Sequence, residues 1–225
     1  MAVGEGIVSE IRETGEASLV CPRALQPGPG QYLLASCPDL FEAIAHPLFP
    51  ASLPGDELAL APPLPAGWSV GTRLHLRGPL GRGFVLPHSA RTVALAAYNG
   101  SPLPLIPLAQ LAVRQNAAVT LFCASAPEDL PQAVEVLPLD LLSETLSWAD
   151  TLAAVFPLSD LSAFRRLAGI KIHYRFPCTA MALVLTGMPC AGLADCGVCA
   201  IPLPRGWKLA CVDGPVFNLN ELELL

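Results

Sequence analysis

Residues 188–217 read MPCAGLADCGVCAIPLPRGWKLACVDGPVF, and this stretch decides how the rest of the chain is understood. It holds Cys190, Cys196, Cys199 and Cys211, separated by five, two and eleven residues. Three thiols in one tight loop and a fourth from farther along is the plan of a plant-type 2Fe-2S site, here with a lengthened first gap. Such a core, held by thiolates, carries net negative charge and needs N–H donors where side chains are apolar. The intervening Ala191, Gly192, Leu193, Ala194, Gly197, Val198 and Ala200 supply amides that can turn toward sulfur, and Gly192 and Gly197 permit positive φ. Four thiolates also satisfy tetrahedral zinc, although zinc ribbons usually show two C-x2-C knuckles and only Cys196 and Cys199 have that spacing here. The third reading is cysteines that merely pack. Cys178 lies beyond an intervening strand pattern and is read as a buried apolar residue.

Working outward, the other cysteines, Cys21, Cys37 and Cys123, are scattered through a chain of 225 residues. Residues 1–16, MAVGEGIVSEIRETGE, have neither a basic start nor an apolar core, so a cytoplasmic protein is expected, where disulfides are disfavoured. The composition is 52% hydrophobic and only 14% charged, which excludes disorder for most of the chain. The best apolar run, residues 176–189, is 14 residues long and interrupted by Pro177, Thr179, Thr186 and Gly187. That is too short for a membrane span, which takes about 20 residues. A net charge of −6, with Lys171 and Lys208 the only lysines, argues against nucleic acid.

Three regions are expected. Residues 1–88 show short β-prone runs punctuated by Gly and Pro, with strands at 6–11, 17–22, 31–36, 56–61 and 72–77, suiting a small β-barrel. Residues 89–175 follow a reduced α/β pattern: strands at 92–97, 118–124 and 134–137, and helices at 105–114, 144–155 and 158–167. Ser159 or Asp160 would cap the last helix, Gly169 would end it, and Arg165 and Arg166 would lie in its final turn. Residues 176–225 form the cysteine segment, entered through a strand at 181–185.

The cysteine loop and the following Asp213-Gly214-Pro215-Val216-Phe217 resemble the C-terminus of the iron-sulfur electron-transfer subunit of class 1B dihydroorotate dehydrogenase, in the ferredoxin reductase superfamily. Upstream, Pro29-Gly30-Gln31-Tyr32 is similar to the PGQ-aromatic strand of that family's flavin-binding barrel. Gly78-Pro79-Leu80-Gly81-Arg82-Gly83-Phe84 resembles the glycine-rich segment joining barrel to nucleotide domain. The resemblance implies a barrel, an α/β domain and a C-terminal cluster segment, with FAD between the first two. It also implies cluster ligation by Cys190, Cys196, Cys199 and Cys211, and flavin contacts from Gly30, His46, Pro47, Gly78, Pro79, Leu80 and Gly81.

Two motifs depart from the family. The family's Arg-Pro-aromatic-Ser flavin motif corresponds to His46-Pro47-Leu48-Phe49-Pro50-Ala51-Ser52, and a neutral imidazole does not replace the charged fork of Arg at a phosphate. FAD is therefore held open. The pyrophosphate turn has become Ala96-Ala97-Tyr98-Asn99-Gly100-Ser101-Pro102-Leu103, and the missing glycines argue against NAD(H). Arg77 and Arg82 read equally as solvated charges or as phosphate contacts. His75, His88 and His173 are read as structural or solvated, and residues 170–175, IKIHYR, as a minor candidate docking edge for an acidic partner.

The expected function is a 2Fe-2S electron-transfer subunit, not a stand-alone catalyst. It would relay electrons between a flavin or nicotinamide donor and a partner flavoprotein, such as the catalytic subunit of a dihydroorotate dehydrogenase, in a hetero-oligomer. The alternative is a degenerate reductase scaffold or docking subunit that no longer binds FAD or NAD(H).

Overall fold

The computed structural model describes residues 2–40, 44–171, 174–204 and 206–222. The first sheet is antiparallel, built from β1 (Ala2–Ile11), β2 (Ala17–Val20), β3 (Tyr32–Ser36), β4 (His46–Leu48), β5 (Leu58–Leu60) and β6 (Arg73–Leu80) in the order β4-β3-β6-β1-β2-β5. It curls until the chain following β4 meets β5: the Ala51 amide donates to Ala59 at 2.7 Å and the Ala61 amide to Phe49 at 2.9 Å. Leu19, Leu33, Leu58, Leu60, Leu74 and Leu76 fill its interior. β4 was absent from the sequence reading, because a three-residue strand with a central proline carries almost no periodic signal.

The second sheet has the order β14-β11-β10-β7-β8-β9. Its parallel strands are β7 (Thr92–Ala97), β8 (Ala118–Phe122), β9 (Val134–Leu137), β10 (Thr151–Pro157) and β11 (Thr179–Leu185), and β14 (Val216–Asn218) adds an antiparallel edge. β7 and β10 read as unbroken apolar runs because both sheet faces are covered. Leu152, Ala154 and Phe156 face one core, and Ala153 and Val155 the other, where α1 (Ile106–Arg114) packs. The architecture is a β-barrel, a parallel α/β sheet and a C-terminal cysteine segment.

Residues 144–155 do not form a helix: α2 (Leu142–Thr145) is a single turn, and 151–157 is the central strand β10, paired in register with β7 and β11. The run TLAAVF is too short for periodicity to separate a buried strand from a helix. The helix expected over 158–167 is α3 (Leu161–Leu167) after one 3-10 turn, and Gly169 ends it at φ +71. Neither Ser159 nor Asp160 caps it with a side chain. Arg165 is buried instead of sitting at an open helix end: its guanidinium lies over Phe176 at 5.2 Å and donates to the carbonyls of Leu219 and Tyr174 at 3.2 and 2.6 Å.

The fold's decisive strand for the site is β3. Successive side chains alternate faces, so Leu33 and Ala35 enter the barrel core while Tyr32 and Leu34 turn outward against the second sheet and the cysteine segment. The outward face of β6 adds Arg77, which is paired with Leu34.

Candidate metal centre and adjoining cleft

The long gap between Cys199 and Cys211 is a hairpin, β12 (Ala200–Pro202) against β13 (Trp207–Leu209), followed by the helical turn α4 (Ala210–Asp213). It folds the fourth cysteine back beside the third, and the Ala210 amide donates to the Cys199 carbonyl at 3.0 Å. Asp213 holds the turn by accepting from the Leu209 amide at 2.9 Å. On the other side, the loop from Cys190 to Cys199 is wound tightly by left-handed residues: Ala191, Gly192, Ala194 and Gly197 all have φ between 51 and 72.

That winding points amides inward. The Cys190 sulfur accepts from the backbone of Cys196, Asp195 and Leu193 and contacts the Cys196 thiol; the amides of Cys196 and Asp195 lead in holding its pKa down at about 6. Cys211 moves the other way, raised first by burial and then by its hydrogen bond to the Cys199 thiol and the charges of Cys199 and Cys190. Cys190 thus lies beside Cys196, and Cys211 beside Cys199 and within electrostatic reach of Cys190. Cys196 is exposed and Cys199 and Cys211 are buried. Among the described residues, no three His, Cys, Asp or Glu side chains gather closely enough to share a single metal ion.

The remaining cysteines stay apart. Cys21, Cys123 and Cys178 have their pKa values raised chiefly by burial, and Cys37 lies in the barrel core. In cofactor-free protein, iodoacetamide labelling of Cys190 is therefore expected to switch on as pH rises through about 6, because only the thiolate attacks. Cys123 and Cys178 should stay unlabelled at neutral pH. Peptide mass mapping across a pH series checks this, and a midpoint near the ordinary thiol value would refute the amide arrangement.

The barrel grips the loop at two points. The Tyr32 hydroxyl donates to the Cys211 carbonyl at 2.8 Å, and Arg77 donates to the Ala191 carbonyl. Between them sits Gly192, where an added Cβ would stand 3.1 Å from the Tyr32 hydroxyl and 3.4 Å from Leu34. Arg77 is therefore not a solvated charge, whereas Arg82 is exposed. The contribution of Tyr32 and Arg77 has no local sequence signal beyond their shared outward register on neighbouring strands.

Three quoted stretches converge on one another. Gly30 and Gly81 have positive φ; a Cβ on Gly30 would meet Val216 at 2.6 Å, and one on Gly81 would meet Pro215 at 2.6 Å. The Phe84 amide donates to Pro29, and the Arg82 amide to Gly214. Gly78 packs against Leu33, Pro79 is half-buried, and Leu80 pairs with Tyr32. Gly30, Gly78 and Gly81 thus allow close approach of the chain to itself, and none of them lines the cleft described next.

His46 and Pro47, with Phe49, line a separate cleft of about 350 Å³. Ser101, Pro104, Leu185 and Thr186 form its other wall, at the carboxyl ends of β7 and β11, so it opens between barrel and parallel sheet. Ligands of open α/β sheets bind at such ends. His46 stacks edge-on against Trp68 with ring centres 6.0 Å apart. The Thr186 hydroxyl is buried with no hydrogen-bond partner among the described residues. His75 and His88 are exposed, and His173, with part of the 170–175 stretch, falls outside the described residues.

The barrel, the parallel α/β sheet and the cysteine segment together make a ferredoxin-reductase-like fold. Residues 188–223 match the family described as the iron-sulfur cluster binding domain of dihydroorotate dehydrogenase B. The fold is shared with a chain of the NADH-dependent reduced ferredoxin-NADP oxidoreductase, at TM-score 0.77 and 17% identity over 97% of this chain and 89% of that one. It is shared with the ferredoxin reductase of carbazole 1,9a-dioxygenase, at TM-score 0.60 and 19% identity over 76% of this chain and 67% of that one. A ferredoxin NADP+ reductase from Neisseria gonorrhoeae with bound FAD and NADP gives TM-score 0.58 and 14% identity over 81% and 98%. No curated protein sequence matches the chain. Among the described residues no helix is long and apolar enough to cross a membrane.

Proposed function

We propose that the chain is a 2Fe-2S electron-transfer subunit, similar to that of dihydroorotate dehydrogenase B, relaying electrons between a flavin in the cleft and a partner flavoprotein. The observation that carries this reading is the convergence of four thiols: the tight loop holding Cys190, Cys196 and Cys199 is met by Cys211, which the hairpin folds back beside Cys199, within the segment 188–223 that matches an iron-sulfur binding family. Three thiolates from one loop and a fourth from farther along suit a 2Fe-2S core better than the two C-x2-C knuckles usual for zinc. When bound, the cluster supplies one-electron transfer. Cys190, Cys196, Cys199 and Cys211 would hold it, the amides of residues 193–196 would offset its negative charge, and the hairpin and barrel would keep bulk water from its buried side.

Partner docking is supported by exposed apolar residues around the open edge of the site. Leu193 and Val198 flank exposed Cys196, Trp207 stands on the hairpin and Val212 follows Cys211; all four are more than half exposed. Exposed apolar residues that include a large aromatic are the kind that form the core of a protein interface. For the flavin, His46, Pro47 and the unpartnered Thr186 hydroxyl support occupancy of the cleft. Gly30, Gly78, Pro79, Leu80 and Gly81 would act from behind, fixing β3 and the linker.

A second reading, a scaffold that has lost nicotinamide chemistry, is favoured by one observation. At the turn after β7, where a pyrophosphate would approach, Asn99 donates instead to the Asp160 carboxylate at 3.0 Å, placing negative charge at the position. Protein purified without air is expected to absorb between about 400 and 600 nm and to contain about two irons and two sulfides per chain. A colourless protein with stoichiometric zinc would overturn the cluster. Flavin released on denaturation, together with NADH-driven bleaching of the cluster, separates relay from scaffold: tightly bound FAD with rapid bleaching excludes the scaffold, and a cluster without flavin favours it.

A further inference from the structure

We propose that Tyr32, with Phe49, bridges the cleft and the cysteine site: Tyr32 is a positioning residue that fixes Cys211, and the aromatic pair provides the contact path along which the two sites are coupled. This rests on the reading of the cysteine segment as an iron-sulfur site and extends it to residues of the barrel. Phe49 forms part of the cleft wall. Its ring lies 6.1 Å from that of Tyr32, tilted by 51°. Tyr32 is fully buried, and its hydroxyl reaches the Cys211 carbonyl at 2.8 Å. One contact and one hydrogen bond therefore lead from the cleft to a candidate ligand.

A phenol with no solvent exposure must spend its donor on a protein partner, and here the partner is the main chain of Cys211. Phenylalanine would fill the same space, so packing alone does not account for tyrosine at this position. A Cβ at Gly192 would stand 3.1 Å from the hydroxyl, so the side chain that bonds the fourth-cysteine segment also limits what the tight loop can carry at position 192. Electron transfer between buried centres weakens steeply with distance and is carried better by bonded and touching groups than by gaps. With a flavin and a cluster bound, the electron given up by the one would be taken up by the other; Tyr32 would be neither oxidised nor reduced, its hydroxyl keeping its proton in the bond to Cys211.

The test compares wild type, Tyr32→Phe and Phe49→Leu, each purified without air. Tyr32→Phe removes only the hydrogen bond; it is expected to shift the electron paramagnetic resonance spectrum and the midpoint potential of the dithionite-reduced cluster. Iron loss to a chelator should also be about fivefold faster, the factor expected of one buried hydrogen bond. Phe49→Leu is expected to leave that spectrum unchanged while slowing, severalfold, cluster reduction by photoreduced FAD supplied in excess. Unaltered spectrum, potential and chelation rate in Tyr32→Phe, or an unaltered reduction rate in Phe49→Leu, would overturn the proposal while leaving an iron-containing wild type intact. Wild type without iron would overturn the underlying reading as well.

Discussion

Cys196→Ser is expected to take bound iron from about two per chain to almost none and to abolish the visible absorbance, while the cofactor-free protein unfolds at an unchanged temperature. The separation of the two effects follows from exposure. Cys196 is open to solvent, and substitutions at such positions usually change stability by no more than about 0.5 kcal/mol. Its sulfur nonetheless contacts Cys190, and its amide donates to that thiol. Serine keeps the amide and removes only the soft ligand. Cys21→Ser gives the reverse pattern: Cys21 is buried beside the barrel core, so a hydroxyl there destabilises the fold but should leave the iron in place. Iron and sulfide analysis beside thermal unfolding checks both, and full iron retention in Cys196→Ser would remove it from the ligand set.

The second large effect is expected at Gly81→Ala. Gly81 has φ +73, and a Cβ there would stand 2.6 Å from Pro215 Cδ, 2.7 Å from the Gly214 carbonyl and 2.9 Å from Tyr32. Left-handed backbone costs a non-glycine residue about 1–3 kcal/mol, and overpacking adds about 1–3 kcal/mol. A chain of this size loses about 2–4 °C of Tm per kcal/mol, so a fall of roughly 5–20 °C is expected. Gly71→Ala provides the comparison, since Gly71 also has positive φ, +89, but nothing lies within 4 Å of its would-be Cβ. Calorimetry should show Gly81→Ala as clearly the worse. Equal losses would mean that the junction of linker and Asp213–Phe217 segment adds nothing to stability.

How much of this was legible in sequence differs from one element to the next. The strand at 92–97 and that at 134–137 coincide with β7 and β9, since each is bounded by turn residues. β10 was misread as helix because alanine and leucine carry high helix propensity, and only its neighbours β7 and β11, recruited from distant sequence, make it a strand. The hairpin of β12 and β13 was equally hidden: three-residue strands show no period, and their pairing is justified by what it does to Cys199 and Cys211. At the site, thiol identity and spacing were enough to nominate the donor set. The companions Tyr32 and Arg77 are not legible in sequence, since each acts across a long stretch of chain.

By itself, then, the sequence determined candidate chemistry and local period: which thiols are spaced to serve as ligands, where Gly and Pro must turn the chain, and that the apolar strands between them would be buried. Tertiary structure alone decided direction. Both faces of β3 are buried, so no pattern of apolar residues could tell which face would line the barrel and which would carry Tyr32 to Cys211. That choice is made by register and by long-range packing against β6, the second sheet and the cysteine segment, and a one-residue slip would turn Tyr32 into the barrel and Leu33 toward the metal site.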